Sequence, residues 1–153
     1  MKNARHSKAA SSANEHFNFT LGTLPKRTNT VTAGVLAAMI DGRIITGMEA
    51  VFKQSTTRAA AFIHRLEAEY GWHIDRRDIA TGTEDGRVVW VTAYWLTNDA
   101  REAAFEAGAR EWLNKVKADV AKRCKQVAAA KAKAARLNSL RTDPRQRDLL
   151  EGL

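Results

Sequence analysis

Ser55-Thr56-Thr57-Arg58 places three hydroxyls and a guanidinium side by side. Lys53 stands just before them, Arg65 follows in the next stretch, and Arg87 comes later, behind an Asp-Gly pair. Such residues at the start of a helix suit the recognition of an anion. The first N–H groups of a helix lack intrahelical partners, and the peptide dipoles add partial positive charge there. An arginine can grip a planar acceptor pair with two parallel hydrogen bonds. The alternative reading of the cluster is an ordinary solvated helix face.

Other chemistries find less support. His6, His16, His64 and His73 have no Cys, His or carboxylate partner at metal-ligand spacing, so no metal site is expected. His64 reads as a hydrogen-bonded structural histidine between the outer face and the core. Cys124 is the single cysteine and reads as a small buried hydrophobe, so no disulfide framework is expected. Trp72, Trp90 and Trp95 read as hydrophobic packing. The chain has no glycine-rich phosphate loop, no Gly-x-Ser-x-Gly and no His-Glu-x-x-His. The expectation is a protein that is not an enzyme and needs no cofactor.

The chain has 153 residues, of which 44% are hydrophobic, enough for one core. No apolar run reaches the roughly 18 residues of a membrane span, and residues 1–17 do not read as a secretory signal. The formal charge of +8 is unevenly distributed. Residues 1–30 hold five basic side chains against one acidic, net +4, and residues 98–153 hold 13 against 8, net +5. Residues 31–97 hold 7 against 8, net −1. A basic chain favours a polyanionic partner, because neutralising phosphates releases counterions. Charged tails on a soluble protein remain the plainer reading.

Residues 1–28 lack periodicity and read as a basic arm. A first helix is expected from about Val31 to Asp41, capped by Thr32 and stopped by Gly42. The apolar segment Arg43-Ile44-Ile45 follows. Thr46-Gly47-Met48-Glu49 fits a capping box and starts a short second helix ending near Phe52 or Lys53. Ser55 can cap a third helix that runs to Tyr70 and stops at Gly71. Ala59, Ile63, Leu66 and Tyr70 would line its inner face, with Thr57, Arg58, Ala61, His64 and Arg65 opposite. Trp72-His73-Ile74 reads as the start of a strand and Arg87–Leu96 as a strand, joined by the Asp85-Gly86 turn signal.

From Asp99 to Leu137 there is no proline and one glycine, Gly108, so a long helix is expected, about 58 Å at ~1.5 Å per residue. Phe105, Ala109, Trp112, Val116, Val120, Cys124 and Val127 form one apolar stripe on it. Between positions 115 and 136, eight basic residues face Asp119 alone. Phe105, Trp112, Val116, Val120 and Val127 are the expected seam of a homodimer. The alternative is a helix folded back on its own domain. Asn138–Leu153 reads as a charged tail.

In order and spacing, residues 34–96 resemble the helix-turn-helix domains common in phage and prophage proteins. The resemblance rests on Gly34-Val35-Leu36-Ala37-Ala38, Thr46 to Phe52, Ser55-Thr56-Thr57-Arg58, Ile63-His64-Arg65-Leu66, Gly71-Trp72-His73-Ile74 and Gly86-Arg87. Glu67 and Glu69 stand where such helices are often basic. The resemblance implies a winged helix-turn-helix at 29–97 with a small β-hairpin; with the long basic helix at 98–137, which lies outside the resemblance, the expected fold is mainly α. The resemblance also implies binding of double-stranded DNA by a cytoplasmic, nucleoid-associated bacterial regulator or accessory factor. The third helix would enter the major groove, with Arg58 on a guanine, Thr57 on a thymine methyl and Arg65 on phosphate. Lys53, Ser55 and Thr56 would flank them, and Arg87 would sit on a wing. The rival class is a winged-helix interaction module with a protein partner, such as a small phage-encoded inhibitor of a host nucleic-acid machine.

Overall fold

The computed structural model describes residues 21–54 and 58–140. Its elements are α1 (Val31–Ile40), β1 (Ile45–Thr46), α2 (Gly47–Gln54), α3 (Ala59–Tyr70), β2 (Asp75–Gly82), β3 (Val88–Trp95), α4 (Asn98–Glu106), α5 (Ala109–Cys124) and α6 (Val127–Leu140).

The sequence of α1 is apolar on every side, and each residue from Thr32 to Ile40 is buried. A helix without a polar face must be enclosed. α1 is therefore the centre of the fold, and α2, α3, α5 and β1 pack around it. Leu36, Met39 and Ile40 are fully enclosed, each contributing about 1.5–3 kcal/mol by burial. Its cap is Thr30, not the expected Thr32: Thr30 Oγ1 accepts the Ala33 N–H at 3.1 Å. Thr32 lies one turn position inside the helix and is buried. Gly42 takes the expected left-handed conformation.

Thr46 Oγ1 accepts the Glu49 N–H at 3.3 Å, the backbone half of the expected capping box. In α3, Ala59, Ile63 and Leu66 are buried and Tyr70 is half-buried, while Arg58, Ala61, His64 and Arg65 are exposed. Gly71 stops the helix at φ 71°. Trp72-His73-Ile74 do not begin the strand; they lead to β2, which starts at Asp75.

The sheet is antiparallel in the order β1-β3-β2, with three strands where a two-stranded hairpin was expected. Ile45 pairs with Tyr94 and Thr46 with Ala93, so the Ile44-Ile45 segment supplies an edge strand. β2 and β3 pair from Asp75↔Trp95 to Gly82↔Val88. Tyr94 and Leu96 reach the core, whereas the distal half of the hairpin leaves it. Trp90, expected to pack, is 73% exposed there, and Val88 is 72% exposed. Trp72 is buried and Trp95 half-buried.

The expected long helix is three helices. Gly108, at φ 90°, separates α4 from α5, a conformation that costs a side-chain-bearing residue strain. A second break after Cys124 separates α5 from α6. α5 folds back on α1, burying Ala109, Trp112, Leu113 and Val116. Trp112 and Val116 thus belong to the chain's own core and not to a free seam. Phe105 and Val120 pack partly against that core, while Val127 is exposed. Cys124 is exposed as well, correcting the expectation of burial. Every residue of α6 from Val127 to Ser139 is exposed.

Residues 21–30, expected within or beside an arm, form a strap across the domain. Trp72 Nε1 donates to the Thr23 carbonyl and Trp112 Nε1 to the Pro25 carbonyl, both at 2.8 Å. Thr23 N–H donates to the Tyr70 carbonyl at 2.8 Å. Gly22 lies so close to Trp72 that a Cβ would meet the indole at 2.6 Å. Further along, Thr28 donates to Asp119 at 2.6 Å and Arg123 donates to Asn29. The remaining arm residues, 1–20, and the tail from 141 onward lie outside the described residues.

The strap makes a prediction. Trp112→Phe keeps an aromatic ring in the core, though a smaller one, and leaves the buried Pro25 carbonyl without its donor. Unfolding free energy should fall by about 1–3 kcal/mol in a urea titration, with a matching rise in protease cleavage between residues 21 and 30. An unchanged midpoint would mean that the strap does not hold the fold.

Candidate functional site

The cluster singled out in the sequence falls at the junction of α2 and α3. Four residues, 55–58, connect Gln54 to Ala59. Ser55, Thr56 and Thr57 lie outside the described residues. Lys53 falls in the last turn of α2, and its side chain is likewise not described. Arg58 occupies the N-cap position of α3, with φ −111° and ψ 44°, and is exposed. It therefore stands at the N-terminal end of α3, where helix polarity favours an anion.

Arg65 lies on the same outer side, about 10 Å further along the axis at ~1.5 Å per residue. Its Nε donates to Glu69 Oε1 at 3.2 Å, an exposed pair spaced one turn apart. Such a pair contributes at most about 0.5 kcal/mol and yields readily to a stronger anion. Glu67 is drawn the other way, toward the sheet, by an ion pair with Arg76, which also lies over the Tyr94 ring at 5.7 Å. Both acids of α3 are thus matched by arginines. His64, expected between the outer face and the core, is exposed.

The hairpin turn is closed by Gly86 N–H donating to the Thr83 carbonyl at 3.0 Å, with Gly86 at φ 83°. Arg87 does not project alone: its Nε donates to Asp85 Oδ2 at 2.7 Å. Arg87 and Thr83, both donating to the carboxylate, hold Asp85 below the usual carboxylate range. Arg43 and Arg77 are exposed cations that the sequence reading passed over. Strict alternation along β2 would have put Arg77 on the outer face of the sheet. Of the eight basic residues between 115 and 136, Lys117 pairs with Asp41 at 2.8 Å and Arg123 bonds Asn29. Lys115, Lys122, Lys125, Lys131, Lys133 and Arg136 are exposed.

A carboxylate with a depressed pKa stabilises the fold above its unfolded value, and that contribution is lost as pH falls through the folded pKa. Asp85 should therefore titrate below the ordinary aspartate value by NMR, and protection of the Gly86 amide, taken relative to its intrinsic exchange rate at each pH, should fall as pH drops through that midpoint. Arg87→Ala should move the midpoint upward. A midpoint unchanged by that substitution would mean that Arg87 does not hold the turn.

Among the described residues, no group of three His, Cys, Asp or Glu side chains could hold a metal ion. No described helix is long and apolar enough to cross a membrane. Comparison with curated proteins and with solved structures returned no match. A family model described as a winged helix-turn-helix domain matches residues 30–99, from the cap of α1 into α4. The chain therefore carries a winged helix-turn-helix domain, a DNA-binding fold, in which α2 and α3 form the helix-turn-helix and the β2–β3 hairpin forms the wing.

Proposed function

We propose that this protein binds double-stranded DNA as a regulator or accessory factor of phage, prophage or plasmid type. The winged helix-turn-helix domain at residues 30–99 is the observation that carries the reading. In this reading the N-terminal end of α3 enters the major groove. Arg58 reads a guanine edge through O6 and N7, and Thr57 touches a thymine methyl. Lys53, Ser55 and Thr56 steady the approach, and Arg65 leaves Glu69 for a phosphate. Arg87 reaches the backbone or the adjacent minor groove from the wing. The domain itself is near neutral, so most non-specific affinity comes from residues outside it. The exposed lysines of α5 and α6 supply phosphate contacts, as do the basic residues before Leu21.

Arg58→Ala should cost about 1–3 kcal/mol at the preferred site and relax preference at one base pair. Arg65→Ala should weaken all sequences about equally. Titration against selected and random duplexes at one fixed salt distinguishes the two. Unchanged affinity in both variants, with intact folding, would reject groove reading.

Pairing of two copies belongs to the same proposal, now through α6. Val127, Ala130, Ala134 and Leu137 recur at three and four residues, and Val127 and Leu137 are exposed. A twofold dimer would match a pseudo-palindromic site. Sedimentation at micromolar concentration should give a dimer for the wild type and a monomer for Val127→Asp/Leu137→Asp. A monomeric wild type would remove the pairing.

One observation favours a second reading, a winged helix that docks on a protein. Arg65 and Arg87 are both held by acids, and Val88 and Trp90 stand exposed on the wing. A protein that fails to shift random duplex at low salt would fit this reading and not the first.

A further inference from the structure

The distal hairpin departs from the pattern of a sheet with one face in water. Alternation should leave its outer positions polar, yet β3 reads Val88-Val89-Trp90-Val91 where it leaves the core. Direct partners share a face, so Arg76, Asp78, Ala80 and Gly82 on β2 lie on the same side as Tyr94, Thr92, Trp90 and Val88. This is the side turned to the core. At its far end two large apolar side chains, Val88 and Trp90, are more than 70% exposed beside Ala80 and Gly82, which are too small to cover them. Among the described residues, the strand order leaves the outer edge of β2 without a neighbouring strand along all eight residues, Asp75–Gly82. An open edge of that length invites another strand.

The described chain begins beside the connection that leads from α3 into β2. Gly22 lies against Trp72, Thr23 N–H bonds the Tyr70 carbonyl, and Leu21 packs partly against the core. Trp72 precedes β2 by three residues, about 10 Å of extended chain. Immediately upstream the sequence reads Phe17-Asn18-Phe19-Thr20-Leu21, an alternation of large apolar and polar residues at the period of a strand.

We propose that Phe17–Leu21 of the same chain adds to the free edge of β2 as a fourth, antiparallel strand. Leu21 is the fixed end, near the start of β2, and the chain runs back from it toward the wing tip. Phe19 and Phe17 share the face of Leu21, which is the core-turned face, and Phe17, about level with Asp78, extends its ring toward Ala80 and the exposed Trp90 beyond it. The main-chain hydrogen bonds supply affinity and the two rings set the register, as in strand addition generally. The addition also redirects the arm. Lys2, Arg5 and Lys8 then leave from the wing tip and not from the C-terminal end of α3, a consequence that rests on the DNA-binding reading.

Two measurements on the full chain, without DNA, test the strand itself. Amide exchange is followed in the wild type and in Phe17→Ser/Phe19→Ser. The β2 amides pointing away from β3 should exchange at least tenfold more slowly in the wild type, while those bonded to β3 stay unchanged in both. Outward β2 amides that exchange as fast as those of the Thr83–Arg87 turn in the wild type overturn the proposal, whatever the variant does. In a Cys124→Ser background, Phe17→Cys is combined in turn with Asp78→Cys and with Ala80→Cys and oxidised. A disulfide-linked monomer is the expected product. A linked dimer would assign the edge to a second copy, and no link in either pair would leave it uncovered; each overturns the assignment. Because no DNA is present, failure here leaves the proposed function standing, and failure to bind DNA leaves this strand standing.

Discussion

The fold depends on one constraint: α1 has no side that tolerates water. Ten residues without a charge or amide side chain must be surrounded, and the helix-turn-helix pair with its small sheet covers only part of the circumference. The rest is closed by α5, which lies beyond the matched family region and is itself tied down by the strap that precedes that region. The unit that excludes water from α1 is therefore wider than the family domain. Asp41 at the end of α1 and Lys117 on α5 add an ion pair at the rim of the same enclosure.

The same enclosure organises the charges. α3 presents buried Ile63 and Leu66 inward, which leaves its polar residues outward with Arg58 at the leading end. Its two acids do not oppose that cation across open water. Glu67 is taken up by Arg76 of the sheet and Glu69 by Arg65 one turn away. The N-terminal half of α3 is thus the anion-friendly end and the C-terminal half is neutralised. The surplus positive charge lies elsewhere, in residues 1–30 and on the exposed surfaces of α5 and α6, where residues 120–140 contain no acid.

Much of this was legible in the sequence where a local signal has one physical meaning. The spacing of Ile63 and Leu66 gave the inner face of α3, Gly71 its end, and Asp85-Gly86 the turn of the wing. Other features carried no local sign. A two-residue strand such as Ile45-Thr46 is too short to display alternation. The break after Cys124 falls among Lys, Arg, Gln and Ala, all good helix formers, so propensity could not reveal it. The stripe containing Trp112 and Val116 was read correctly as apolar, but periodicity cannot tell a partner's surface from the chain's own. Trp90 sits in a strand that is apolar at nearly every position, so nothing marked which residues would face outward. The strap was least legible, because backbone carbonyls hold it and any sequence offers those. Its specificity lies in two distant indoles and in the missing side chain of Gly22.

The strap also sets an order of events during synthesis. Pro25 is made early, but its donor Trp112 lies 87 residues downstream. At ~5–20 residues per second the nascent chain waits roughly 4–17 s before the last wall around α1 exists. For the later part of that interval α1, the most apolar segment of the chain, has been made and has one flank uncovered. Such a closure over long sequence separation is slow to form and leaves sticky surface exposed meanwhile. A nascent chain of this design has reason to engage a chaperone until α5 arrives.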